Sequence, residues 1–276
     1  MNRLNTFLFL VLVLQLFTNA GAVAGSESAT QTIDISWWNK LEPGWKRIFK
    51  SAVGIGETPT KDDFVQISEL KVLDCSQNPI TTLKPVASLK KLESLWCDQT
   101  KITDLGPIKD LENLKILNFG STKVTDLSPV KNLESLTKLE FYRTKVSDLS
   151  PVAGLKNLEV IDCSNTDVLN LEPISNLVNL RVLYCNNTDV KSLEPLKNLK
   201  ALTELSFLRT NVNTLAPLKN VKTLKELVFQ HTQVSSLEPV FGISGLAIVY
   251  CENTMIPSVE VQKLRNANPN CEVYME

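Results

Sequence analysis

The chain has 276 residues, 29 Lys and Arg against 30 Asp and Glu, and a net charge of −1. That balance excludes a basic nucleic-acid surface, whose affinity comes from neutralising phosphates, and 43% hydrophobic with 21% charged residues excludes a disordered chain or a membrane bundle. A single histidine, His231, beside six cysteines removes any site that needs two imidazoles.

Residues 8–17 are apolar but for Gln15, follow one positive charge at Arg3 and precede the small residues Ala20, Ala22 and Ala24. This is the order of a secretory signal peptide cleaved before Gly25, and the apolar run is shorter than the roughly 20 residues a membrane helix needs. The sequence thus predicts a leader over residues 1–24, a flexible lead-in over 25–32, and an exported chain, periplasmic or secreted, with no membrane span in its mature form. Residues 33–69 read as a helical N-terminal cap of two helices. Trp37, Trp38, Leu41, Trp45, Ile48 and Phe49 supply the apolar face of the first; Thr60, followed by Asp62 and Asp63, opens the second, which runs through Phe64 and Ile67.

From Leu70 a leucine recurs every 22 residues, at Leu92, Leu114, Leu136, Leu158, Leu180, Leu202, Leu224 and Leu246. Counting each leucine as position zero, position three is Leu, Ile or Val, position five is Cys or Phe, and position eight is Thr except at Asn78. Position fifteen is Pro from Pro85 to Pro239. Buried residues at three and five mark a short strand with one inward face. The proline suits the first turn of a short helix, and Ser128 and Ser150 before it read as N-caps. Residues 70–256 are therefore a stack of strand, turn, helical segment and turn, in which each unit buries its neighbour's apolar face. Residues 257–276 close it with an amphipathic helix through Val261 and Leu264 and a last short strand near Val273.

One unit, Leu114, Leu117, Phe119, Thr122, Val124, Leu127, Pro129, Val130 and Leu133, resembles the leucine-rich repeat of the 22-residue class, found in exported bacterial internalin-like proteins and in eukaryotic phosphatase-regulatory proteins. The resemblance implies an α/β solenoid, a curved array with a parallel sheet on its concave face and a cap at each end. It also implies recognition of a host or surface protein. Threonine at position eight departs from the family's asparagine; its hydroxyl still donates to a backbone carbonyl, but makes fewer bonds than an amide.

Export makes disulfides the first expectation for six cysteines. Position argues for free thiols: Cys75, Cys97, Cys163, Cys185 and Cys251 occupy position five, where Phe119, Phe141, Phe207 and Phe229 stand in other units. A site that takes Phe is core, and Cys serves there as a small hydrophobe. Only Cys271, in the cap, has a candidate partner in Cys251. No C-x-x-C occurs, and neither a metal nor a cofactor is expected.

The residues between the buried positions line the concave face, and there the repeats differ. The face carries Trp96, Tyr142, Tyr184, Leu208 and Tyr250 with Arg143, Arg209 and His231, types enriched at binding hot spots, and the carboxylates Glu140 and Asp162. Cross-strand packing is the competing use for such aromatics. Size and residue types predict a non-catalytic recognition module for a protein partner. The alternatives are a glycan stacked on Trp96 and Tyr184, a phosphatase-regulator-like scaffold, which the leader disfavours, and an enzyme. For the last, Glu140 and Asp162 are expected to lie on a flat face without a cleft to shift their pKa values.

Overall fold

The structure, a computed structural model, describes residues 32–275; the expected leader and all but the last residue of the lead-in lie outside the described residues. Ten three-residue strands form one parallel sheet in chain order. They are β1 Val72–Asp74, β2 Ser94–Trp96, β3 Ile116–Asn118, β4 Lys138–Glu140, β5 Val160–Asp162, β6 Val182–Tyr184, β7 Glu204–Ser206, β8 Glu226–Val228, β9 Ile248–Tyr250 and β10 Glu272–Tyr274. Each residue of β1 to β8 pairs with the one 22 positions later, as Leu73 with Leu95 and Leu139 with Ile161, so the sequence period is the sheet register. Every strand buries its central residue and turns the two flanking side chains to the concave side.

Pairing continues past the strands. The Cys75 N–H donates to the Trp96 carbonyl at 2.8 Å, and the Phe119 N–H to that of Glu140 at 2.9 Å. Position eight then closes the turn: Thr122 Oγ1 donates to the Phe119 carbonyl at 2.8 Å and Thr144 Oγ1 to that of Phe141 at 2.7 Å. The same bond recurs at Thr100, Thr166, Thr188, Thr210, Thr232 and Thr254. Asn78, the amide in this column, donates twice, to the carbonyls of Cys75 and Ser76.

The helical segments differ from expectation in two respects. They are 3-10 turns, as at Ser128–Val130 and Glu172–Ile174, because the apolar residues here recur every third position. Leu127, Val130, Leu133 and Leu136 fall on one face of a three-per-turn path, and the N–H of each of the last three donates to the carbonyl three residues back. Ser128 and Ser150 begin their turns rather than cap them. The acceptor stands two residues earlier: Asp126 Oδ1 accepts from the Ser128 N–H at 2.7 Å, and Asp148 Oδ1 from that of Ser150 at 2.8 Å. Asp104, Asn170, Ser192, Thr214 and Ser236 serve the same way in other units.

The core fills the space between sheet and 3-10 turns. Position five alternates in pairs, with Phe119 stacked on Phe141 at 5.9 Å between two pairs of cysteines and Phe207 on Phe229 at 5.7 Å between Cys185 and Cys251. All six cysteines are free and buried, Cys251 and Cys271 included. Burial raises the pKa values of Cys97, Cys163, Cys185, Cys251 and Cys271, to about 12 at Cys185 and about 11 at Cys251.

Three helices, not two, close the first repeat: α1 Ile35–Asn39, α2 Pro43–Val53 and α3 Lys61–Ser68. Pro43 makes the extra break, since the residue before a proline is kept from helical geometry, and Glu42 is extended at ψ 153°. Thr60 and Asp63 cap α3 reciprocally. Trp45 is fully buried, stacks on Phe49 at 5.6 Å and donates its indole N–H to the Thr82 carbonyl in the first repeat. At the other end α4, Ser258–Ala267, buries Val261 and Leu264, and β10 pairs with β9.

Candidate partner-binding face

Strand geometry sorts the expected residues into rows. Trp96, Glu140, Asp162, Tyr184 and Tyr250 end β2, β4, β5, β6 and β9, and the last three residues of β4, β5 and β6 are register partners. Glu140, Asp162 and Tyr184 are thus brought side by side. Tyr142 and Leu208 lie two positions further along, in the next row. All seven are half-buried.

Several are fixed by neighbours. The Tyr184 hydroxyl donates to Glu204 Oε2 at 2.8 Å. Tyr142 lies over Gly120, where even a methyl group would collide with its ring. Tyr250 stacks on Tyr274 with 4.8 Å between centroids. Burial first, then the Asp98 charge, raises the Tyr142 hydroxyl to about 12. These rings do pack across strands, yet keep an exposed edge, so rigidity and availability coexist.

Arg143, Arg209 and His231 occupy a different place. They are exposed and, with six other residues at position seven, have φ between 51° and 59°, the left-handed region. The geometry is needed because each N–H extends the ladder, Arg143 to the Ser164 carbonyl at 2.8 Å and His231 to that of Glu252 at 2.9 Å, before the chain turns inward at Thr. Such a backbone costs a non-glycine residue about 1–2 kcal/mol. Asn165, Asn187 and Asn253 are the types that tolerate it best, a signal visible in the sequence. Arg143 and Arg209 stand three repeats apart and form no joint site.

The flat-face expectation for Glu140 and Asp162 is overturned. Both carboxyls are pushed above their ordinary range, by burial first. Two neighbours act against this, the Lys138 ammonium, 3.1 Å from Glu140, and the Ser164 N–H, which donates to Asp162 at 2.9 Å. Position two, at the start of each strand, supplies two more acids that the sequence reading passed over. Glu204 and Glu226 are directly opposed on β7 and β8, and Glu226 is raised by burial and then by the Glu204 charge. A raised carboxylate favours the protonated folded state, so its ionisation lowers stability as pH rises through the folded pKa. Glu226→Gln is accordingly expected to have a higher Tm than the parent at pH 7. The gap should close as pH falls through the folded pKa and vanish below about 4, near the unfolded carboxylate value. A gap independent of pH in thermal melts would contradict this.

The family model described as Leucine Rich repeats (2 copies) matches residues 68–110. Internalin C2 of Listeria monocytogenes superposes with a TM-score of 0.71 at 28% identity, over 75% of this chain and 92% of that one. The chain has an internalin-like leucine-rich repeat fold. A leucine-rich repeat protein of Leptospira interrogans gives the same TM-score at 23% identity, over 78% and 57%. A plant peptide hormone receptor, RGFR1 in complex with RGF2, shares the fold at 0.62 and 17% identity, over 75% and 36%. No curated protein sequence matches. Among the described residues, no group of three or more His, Cys, Asp or Glu is placed to hold a metal, and no helix is long and apolar enough to cross a membrane.

Proposed function

We propose that the chain is an exported recognition module that binds a protein through the concave face of its sheet. One observation carries this reading: positions that face the core barely change from repeat to repeat, whereas positions four and six on the strand face change at every step and hold ordered, partly exposed aromatics. A scaffold alone would need only small polar residues there. Trp96, Tyr142, Tyr184, Leu208 and Tyr250 provide the apolar contact, and Arg143, Arg209 and His231 the polar margin. Ten strands at about 4.8 Å spacing give a face roughly 43 Å long, the scale of a protein partner. The plant receptor bound to RGF2 supports this use of the fold. Export rests on the leader expected over residues 1–24 and on the likeness to internalin C2.

The test is a photo-crosslinking residue placed at Asn118, on the face, or at Lys131, beside a 3-10 turn on the opposite side. After exposure of each chain to proteins of the exported environment, adducts are expected from position 118 alone. Adducts confined to position 131 would move the contact off the sheet.

A further inference from the structure

The partner's chemistry can be drawn from the distribution of charge, given the proposed use of the concave face. Across β4 to β9, the outward positions two, four and six hold five carboxylates, Glu140, Asp162, Glu204, Glu226 and Glu252, against the one ammonium of Lys138. The whole chain is almost balanced, so this strip is segregated rather than typical. Its only cation is already engaged with Glu140. The other acids meet neutral donors or each other: Tyr184 donates to Glu204, and Glu204 faces Glu226 across adjacent strands. Like charges opposed on a sheet are destabilising, as is a carboxylate withdrawn from water without a countercharge.

A second observation comes from the far end of the strip. Glu252 Oε2 is buried from solvent and has no hydrogen-bond partner. An orphaned carboxylate oxygen on a face already rich in acid is a vacancy for a donor. The nearby basic residues, Arg143 and Arg209 at position seven and Arg181 and Lys225 at position one, lie outside these rows and border the strip on two sides. His231 shares the position-seven margin.

We propose that the strip from β4 to β9 receives a basic, extended segment of a protein partner. Its ammonium or guanidinium groups sit against Glu140, Asp162, Glu204, Glu226 and Glu252, and its intervening side chains lie on Tyr142, Tyr184 and Tyr250. Carboxylates accept charge-assisted hydrogen bonds from either cation, and a neighbouring tyrosine face adds cation–π attraction. Five strand spacings of about 4.8 Å span roughly 24 Å, the length of about seven extended residues. An anionic glycan or nucleic acid would meet repulsion along the same path.

The purified chain is to be probed at about 0.15 M salt with immobilised eight-residue peptides of three kinds: lysine and arginine at alternate positions, glutamate at those positions, and serine at those positions. Retention of the basic set is expected. Affinity should fall at least about tenfold in Glu140→Gln/Asp162→Asn and in Glu204→Gln/Glu226→Gln, and stay unchanged in Glu112→Gln/Glu134→Gln, off the face. Equal loss in all three variants, or preference for the acidic or neutral set, overturns the charge assignment. Where neutral or acidic peptides are retained and lost on truncating Trp96 and Tyr184, the concave face still binds but by other chemistry. Retention of no set counts against both.

Discussion

Trp45→Ala is expected to lower stability by about 3–5 kcal/mol, the cost of deleting a fully buried indole. At about 2–4 °C per kcal/mol for a chain of this size, Tm should fall by roughly 6–20 °C. The size of the effect comes from where the ring sits. Trp45 is completely enclosed, packs on Phe49 and ties α2 to the first repeat through Thr82. A repeat array draws its stability from interfaces between neighbours, and its first unit has a neighbour on one side only, so the cap supplies the other interface. Loss should therefore begin locally. Amides of the first repeats, such as Cys75 N–H in its bond to Trp96, should lose hydrogen-exchange protection before those near Phe207. Uniform loss of protection along the array, or a Tm within about 2 °C of the parent, would show that the cap contributes little.

Simultaneous replacement of Trp96, Tyr184 and Arg209 by alanine is expected to weaken partner binding by more than about 100-fold while leaving the array folded. Two truncated aromatics and an arginine at an interface commonly cost more than the about 2.8 kcal/mol that such a ratio represents. Folding should survive because none of the three belongs to the core: Trp96 and Tyr184 are half-buried on the face and Arg209 is exposed. The main intramolecular loss is the Tyr184 hydroxyl bond to Glu204. Arg209→Ala keeps a left-handed φ of 51° that neither residue favours, so backbone strain changes little. The comparison needs a captured partner, calorimetric binding and a thermal melt on the same preparations. Binding within a factor of three of the parent would remove these residues from the contact, whereas a collapsed melt would reassign them to folding.

The architecture was legible in the sequence because one period sets two things at once. The 22-residue spacing of Leu70 to Leu246 is also the register of the sheet, and position five could be assigned to the core because Phe and Cys exchange there. Caps and turns were less legible. The extra helix break at Pro43 and the acceptors at Asp126 and Asp148 were present as residue types, but a proline turn invites attention to the residue before it, and the acceptor lies two positions earlier still. On the face, aromatic and charged types were visible, whereas their environment was not. Burial of Glu140 and Asp162 depends on neighbours one or two repeats away, and the left-handed backbone of Arg143, Arg209 and His231 is a property of the ladder, not of those side chains. Glu204 and Glu226 matter because the register sets them face to face.

The buried thiols give the molecule a built-in clock. Cys75, Cys97, Cys163, Cys185 and Cys251 are spread from the first repeat to the last and closed to solvent, and burial favours the protonated, unreactive form of the last four. An alkylating reagent therefore reaches each sulfur only when its own repeat opens. The order in which the five become labelled reads out, in the unmodified chain, whether the stack peels from one end, from both, or parts in the middle.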